Sequence, residues 1–252
     1  MGPENEETEY MRGYYGMLTG LAIVLTAGQV MAAPVSGSTE GTTVRTATVR
    51  QASVTVVDET AMPGLSGPVR QVEDYFNDLS TYQAAFTQTV TGEATPSKGT
   101  FSLKRPGRFL WQYDTPTRQK IVSTGSAAYY IDQERNQTTQ LPMNAGVARL
   151  FNAKTLNMSK QGLRATRVRT NSQLMVVDFA VDKKIATGDN TGLTKLTLTF
   201  ARMPGNNLRL TQLEGLDTLG VTTTVAFADI QENVSLPNSL FAYTPGVYEQ
   251  RN

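Results

Sequence analysis

The chain has 252 residues, 39% of them hydrophobic, with 23 basic against 22 acidic side chains and a formal net charge of +1. That length supports one substantial core and a single β domain, and the balanced charge argues against a nucleic-acid surface, which needs a concentrated basic face. Cysteine and histidine are both absent, so thiol nucleophiles, Ser-His-Asp triads, imidazole bases and the usual zinc ligand sets are excluded. No metal and no cofactor are expected, and the redox compartment stays open because disulfides are optional at this size.

From Tyr14 to Ala33 the chain is free of charge, with Leu18, Leu21, Ala22, Ile23, Val24 and Leu25 as a short apolar centre. A spanning helix needs about 20 predominantly apolar residues; Thr19, Gly20, Thr26, Gly28 and Gln29 interrupt this run, while Val30-Met31-Ala32 supplies small residues for a signal peptidase. Residues 1–32 are therefore expected to be a secretory signal cleaved before Ala33. Glu4, Glu6, Glu7 and Glu9 oppose the positive start such a signal requires. A true start at Met11, followed by Arg12, removes them; the alternative is a retained anchor with an acidic cytoplasmic tail. Cleavage leaves 22 basic and 18 acidic residues, a mild excess of +4.

Residues 33–66 contain no aromatic residue and are rich in Thr, Ser, Gly, Ala and Val, a composition that reads as a flexible linker. Val54 to Val57 is a weak edge-strand candidate within it. The folded domain is expected over 67–252. Val69, Val72, Phe76 and Leu79 recur at helical spacing after Gly67-Pro68, opposite Arg70, Glu73 and Asp78, which predicts an amphipathic helix. Tyr82, Ala84, Phe86, Gln88 and Val90 then switch to the period of a strand.

Short strands separated by turn residues are expected at Gly99–Leu103, Arg108–Tyr113, Gln119–Ser123, Ala127–Asp132 and Gln137–Leu141. A helical interlude is expected over about Met143–Leu156, with Val147, Leu150 and Phe151 on one side. Further strands are expected at Leu174–Val181, Leu193–Arg202, Leu208–Leu216 and Gly220–Gln231. Phe109, Trp111 and Tyr113 form one face of their strand; Leu196, Leu198 and Phe200 do the same, as do Val221, Thr223, Val225 and Phe227. Connections this short imply antiparallel neighbours. The simplest assembly is a mainly β (α+β) domain, one antiparallel sheet curved round a hydrophobic interior and closed by two helical segments.

Phe86-Thr87-Gln88, Gly99-Thr100-Phe101, Lys104-Arg105-Pro106-Gly107-Arg108-Phe109, Trp111-Gln112-Tyr113, Pro116, Ile121-Val122-Ser123 and Gly125 occur in that order, and Phe241-x-Tyr243-Thr244-Pro245 follows near the C-terminus. Together they resemble the LolA family of outer-membrane lipoprotein carriers over about residues 67–250. The interlude around Asn144 to Leu156 departs from the family's T-P-x-x-L-L run, and the terminal turn has one proline where two are usual. The resemblance implies an incomplete antiparallel barrel with a helical lid over an apolar cavity, in a periplasmic, non-enzymatic chaperone. Such a carrier receives acylated lipoproteins from an inner-membrane ABC transporter and hands them to an outer-membrane acceptor or to the membrane itself. A monomer is expected.

Under that resemblance Arg105 couples the lid to cargo, and the cavity is lined by Phe76, Leu79, Phe86, Phe101, Phe109, Trp111, Tyr113, Leu150, Phe151, Leu198, Phe200 and Val225. Read from the residues alone, Arg105 is a solvated turn arginine, Phe109 a core aromatic, and Trp111 and Tyr113 either cavity wall or closed core. Acyl burial is worth about 0.8 kcal/mol per methylene, far more than a lid gains by closing. A carrier must therefore bind imperfectly, and a cavity partly filled by its own side chains weakens capture enough to allow release.

Asp132, Glu134, Asp178 and Asp182 are expected at strand ends beside turns, a placement that does not suit paired acid/base chemistry. Asp189-Asn190-Thr191-Gly192 reads as a turn without the acidic spacing of a calcium loop. Two rival classes stay in view: a lipid- or lipoprotein-sensing regulatory domain of the same half-barrel fold, and a hydrolase on a β scaffold. The first normally carries a second C-terminal domain, and the second is disfavoured by the missing histidine.

Overall fold

The computed structural model describes residues 65–116, 118–143, 146–182 and 192–244, and the backbone of 55–57. The expected signal segment, most of the expected linker, Asp189 to Thr191 and Pro245 lie outside the described residues. Twelve described strands form one antiparallel sheet: β1 (Thr55–Val57), β2 (Thr81–Val90), β3 (Ser97–Lys104), β4 (Arg108–Tyr113), β5 (Gln119–Thr124), β6 (Ala128–Asp132), β7 (Gln137–Leu141), β8 (Leu163–Thr170), β9 (Leu174–Val181), β10 (Leu193–Met203), β11 (Asn207–Asp217) and β12 (Thr222–Glu232). Their spatial order is β1-β8-β9-β10-β11-β12-β2-β3-β4-β5-β6-β7, so the sheet curves without closing. The edge strand β1 falls inside the span expected as linker and pairs with β8.

This order forces a lid. Strands β2 to β7 and β8 to β12 each run as hairpins, but β7 ends at one edge of the sheet while β8 lies next to the other. The chain between them must cross a face of the sheet, and it carries the short helix α2 (Ala148–Asn152) as it does so. The other cover is α1 (Ser66–Asp78), which buries Val72 and Phe76 and then turns into β2. Asn233 fixes that turn: its side-chain oxygen accepts from the Ser80 N–H at 2.7 Å and the Ser80 hydroxyl at 2.8 Å.

The expected alternation holds along the strands that meet the lid. In β2, Tyr82, Ala84, Phe86, Gln88 and Val90 are buried and Ala85 and Thr89 exposed; in β4, Phe109, Trp111 and Tyr113 are buried. Register places Phe101 opposite both Ala84 and Trp111, and Leu103 opposite Phe109. Gly99 has no substitute in this arrangement: a Cβ there would sit 2.0 Å from the Gln112 carbonyl oxygen and 2.8 Å from the Phe86 ring.

The other face of the sheet has its own cover. The C-terminal segment returns over β4 and β5 through a 3-10 turn at Asn238–Phe241. Phe241 is buried, Lys104 Nζ donates to the Leu236 carbonyl at 2.8 Å, and the Tyr243 ring packs tilted against Tyr129 with centroids 4.9 Å apart.

Two elements differ from the sequence expectation. The interlude at Met143–Leu156 is helical only over Ala148–Asn152, because Ala153 turns extended and the chain then runs to a 3-10 turn at Ser159–Gln161. Strand β8 was not expected at all. A register shift between Ala165 and Arg167 breaks its alternation, and Arg164, Arg167 and Arg169 give it the composition of a surface loop.

Candidate functional site

The residues expected to line a cavity converge on one face of the sheet and belong to a single buried apolar cluster. On the β2–β4 side, Phe101 lies 4.5 Å from Trp111 and 5.8 Å from Phe227, and Phe86 lies 5.0 Å from Trp111 and 5.3 Å from Tyr113, measured between ring centroids. From α2, Phe151 closes over this group at 5.3 Å from Phe101 and 6.1 Å from Phe109, with Leu150 buried beside it. On the β9–β11 side, Phe76 of α1 and its neighbour Tyr75 pack edge-on against Phe200. Leu79, Leu198 and Val225 complete the same cluster. The interior is filled by the chain's own aromatic side chains.

Both lid segments are tied down by a few polar contacts at their rims. Arg105 sits in the β3–β4 turn, where its Nη2 donates to the Ala153 carbonyl just past α2 at 2.6 Å. The Gly107 N–H, in the same turn, donates to the Phe151 carbonyl at 3.0 Å. Gly107 takes φ +77°, a conformation that favours glycine. Burial lowers the pKa of the Arg105 guanidinium, and its Nη1 is buried without a partner. Asn152 Nδ2 donates to the Met143 carbonyl, and Ser123 Oγ to the Gly107 carbonyl, so the turn and α2 form one small polar hinge.

The α1 contacts were not legible in the sequence. Tyr75 donates from its hydroxyl to Glu232 Oε1 at 2.7 Å and accepts from the Leu210 N–H at 3.2 Å, while Arg209 pairs with the same carboxylate at 3.3 Å. Burial, then Glu232, raises the Tyr75 pKa well above its usual value. Asn77 exchanges two hydrogen bonds with the backbone of Leu156, at 3.1 and 2.6 Å, and Glu73 accepts from the Met158 N–H at 2.7 Å. The two lids are thus joined to each other as well as to the sheet. Partners separated by 79 to 157 residues leave no local signal.

The four carboxylates do not form a shared site. Asp132 ends β6 and caps the following turn, accepting from the Glu134 and Arg135 N–H groups at 3.0 Å each and from Arg135 Nη1 at 2.9 Å. Glu134 and Asp182 are exposed. Asp178 corrects its expected position at a strand end: it lies within β9, buried, accepting from Arg169 Nη2 at 3.1 Å and Thr197 Oγ1 at 2.9 Å and pairing with Lys195 Nζ at 3.5 Å. No group of three or more acidic side chains among the described residues is placed to hold a metal ion.

A single curved sheet whose aromatic face is covered by two tethered helical segments defines a half-barrel protein with a lidded apolar interior. The chain belongs to the family described as outer membrane lipoprotein carrier protein LolA, whose model matches residues 77–244. The outer-membrane lipoprotein carrier proteins of Coxiella burnetii and Neisseria meningitidis are 27% and 28% identical to it over 187 and 186 residues, each covering 71% of this chain and 84% of the relative. The crystal structure of a LolA superfamily protein from Nitrosomonas europaea aligns with 70% of this chain and 96% of its own, at 12% identity and a TM-score of 0.39.

Proposed function

We propose that this protein is a periplasmic carrier that shields the acyl chains of lipoproteins released from the inner membrane and delivers them toward the outer membrane. One observation carries the reading: the covered face is rich in aromatic side chains and buried, yet α2, which closes over Phe101 and Phe109, has only five residues and is held by a handful of rim hydrogen bonds. The family and the printed names of the relatives point the same way. Replacing Phe151 by an acyl chain exchanges one apolar surface for another, and each buried methylene contributes about 0.8 kcal/mol to that exchange. The rim bonds oppose it, so binding is graded and reversible.

Arg105 is assigned the coupling role in this scheme, because its bond to Ala153 forms only with α2 docked. Phe76, Leu79, Phe86, Phe101, Phe109, Trp111, Tyr113, Leu150, Phe151, Leu198, Phe200 and Val225 become the surface that exchanges self-contact for acyl contact. An inner-membrane ABC transporter supplies cargo, an outer-membrane acceptor or the membrane receives it, and residues 1–32 are removed on export. The test is to incubate the protein with lipoprotein-bearing inner-membrane vesicles, the releasing transporter and ATP. A soluble complex with acylated lipoprotein is the expected product; lipoprotein that stays sedimentable at all carrier concentrations rejects the proposal.

A further inference from the structure

Among the described residues, four buried side-chain polar atoms have no hydrogen-bond partner: Arg105 Nη1, Asn152 Oδ1, Arg169 Nε and Trp111 Nε1. The first two belong to the hinge between α2 and the β3–β4 turn, and Arg169 belongs to the Asp178 cluster on β8 and β9. Trp111 stands apart. Its indole is 4% exposed and packed between Phe86 and Phe101, at the centre of the apolar face. A buried N–H without an acceptor is costly, and native interiors rarely keep one without a use.

We infer that Trp111 Nε1 is a donor subsite inside the half-barrel that recognises the carbonyl oxygen of a fatty-acyl ester, an inference that rests on the acyl-carrier reading above. The indole N–H donates and cannot accept, so its partner must bring an acceptor into an apolar interior. The Tyr113 hydroxyl, on the same strand face, gives its proton to Gln88 Oε1 at 2.9 Å and keeps a lone pair. The Trp111 N–H does not meet that oxygen in hydrogen-bond geometry. A carboxylate buried against a neutral donor retains most of its desolvation cost, and a hydroxyl or primary amide brings donors that need further acceptors. An ester carbonyl brings an acceptor and no donor. It enters with the acyl chain, which replaces the aromatic contacts of Phe151, and it removes the unpaired donor of the empty state.

The same ester chemistry occurs in the glyceryl group of an acylated lipoprotein and in membrane phospholipids, and the experiment separates them. The full chain is titrated with a dipalmitoylglyceryl-cysteine lipopeptide, its dihexadecyl ether counterpart and dipalmitoyl phosphatidylcholine, using displacement of an apolar fluorophore. The expected result is about tenfold preference for the ester lipopeptide over the ether, the value of one hydrogen bond, and loss of that preference in Trp111→Phe. Because Trp111 is the single tryptophan of the chain, the indole N–H marker band in ultraviolet resonance Raman reports the bond in the unaltered protein, independently of how the variant folds. It should move to its hydrogen-bonded position with the ester and not with the ether.

Equal affinity for ester and ether, or an unmoved band with ester bound, overturns the subsite and leaves the carrier reading standing. If none of the three lipids binds, the carrier reading fails and the subsite with it. A phospholipid that matches the lipopeptide in affinity and band shift supports a subsite for acyl esters in general; one that fails both supports a subsite tuned to the lipopeptide.

Discussion

Phe151→Ala separates a lid that competes with cargo from a core residue that merely packs. Phe151 is 2% exposed and touches the Phe101 and Phe109 rings, and truncating a buried phenylalanine costs about 3–5 kcal/mol. In an ordinary core that loss would fall on the whole fold. Here it falls on the docking of α2, five residues long and tethered at its ends, while the sheet keeps its ladders. If docking and acyl binding compete for the same aromatic surface, weakening docking by about 3 kcal/mol tightens apparent affinity by up to about a hundredfold, with a ceiling once α2 is always undocked. Thermal melting followed by titration with a diacyl lipopeptide measures both quantities. The expected variant melts lower, binds tighter and releases cargo more slowly. Affinity that falls along with stability refutes the competition and makes Phe151 part of a fixed wall.

Arg105→Leu removes a charge-assisted bond worth about 1.5–3 kcal/mol, partly offset because the side chain is only partly buried, so solvent screens its charge, and because its buried Nη1 is unpaired. A net loss of about 1 kcal/mol should leave capture intact and slow transfer about fivefold, and a parental rate in a membrane-transfer assay contradicts the coupling role. Gly99→Ala places a methyl 2.0 Å from the Gln112 carbonyl, where backbone must move; a loss of about 2 kcal/mol or more is expected in urea unfolding, and an unchanged midpoint would show that the β3–β4 ladder yields freely. Burial alone would raise the Asp132 pKa, but hydrogen bonds from Arg135 and Gln119 outweigh it and hold the carboxyl below its ordinary value. Its contribution is therefore complete above about pH 4 and is lost as pH falls through the depressed value; Asp132→Asn should flatten the acid limb of stability, and an unaltered limb would deny the cap any linkage to pH.

The sheet was legible where period-two alternation survives, most plainly in β2 and β4. It failed at β8, where a bulge and three arginines hide the alternation, and it overextended α2, whose apolar residues run on past the point where Ala153 turns extended. The buried aromatic set was also legible, since each member lies on an alternating strand or a helical stripe. The sequence could not show what Arg105, Tyr75, Glu73 and Asn77 hold. Their partners are backbone groups and side chains 48 to 157 residues away: those of Arg105, Glu73 and Asn77 lie on the β7–β8 crossing, just past α2, and those of Tyr75 on β11 and β12. Asp178 was misplaced for the same reason: Arg169 and Lys195 come from the two flanking strands, and they make a mid-strand carboxylate tolerable.

The central claim is that the aromatic interior gives way to acyl chains, and intact-complex mass spectrometry of the protein isolated without detergent from the periplasm of a Gram-negative host tests it most directly. The account predicts a fraction of carrier bearing one acylated lipoprotein, enriched by Phe151→Ala and lost on adding acceptor membranes. Carrier recovered only as the free chain, in both the parent and Phe151→Ala, would contradict it.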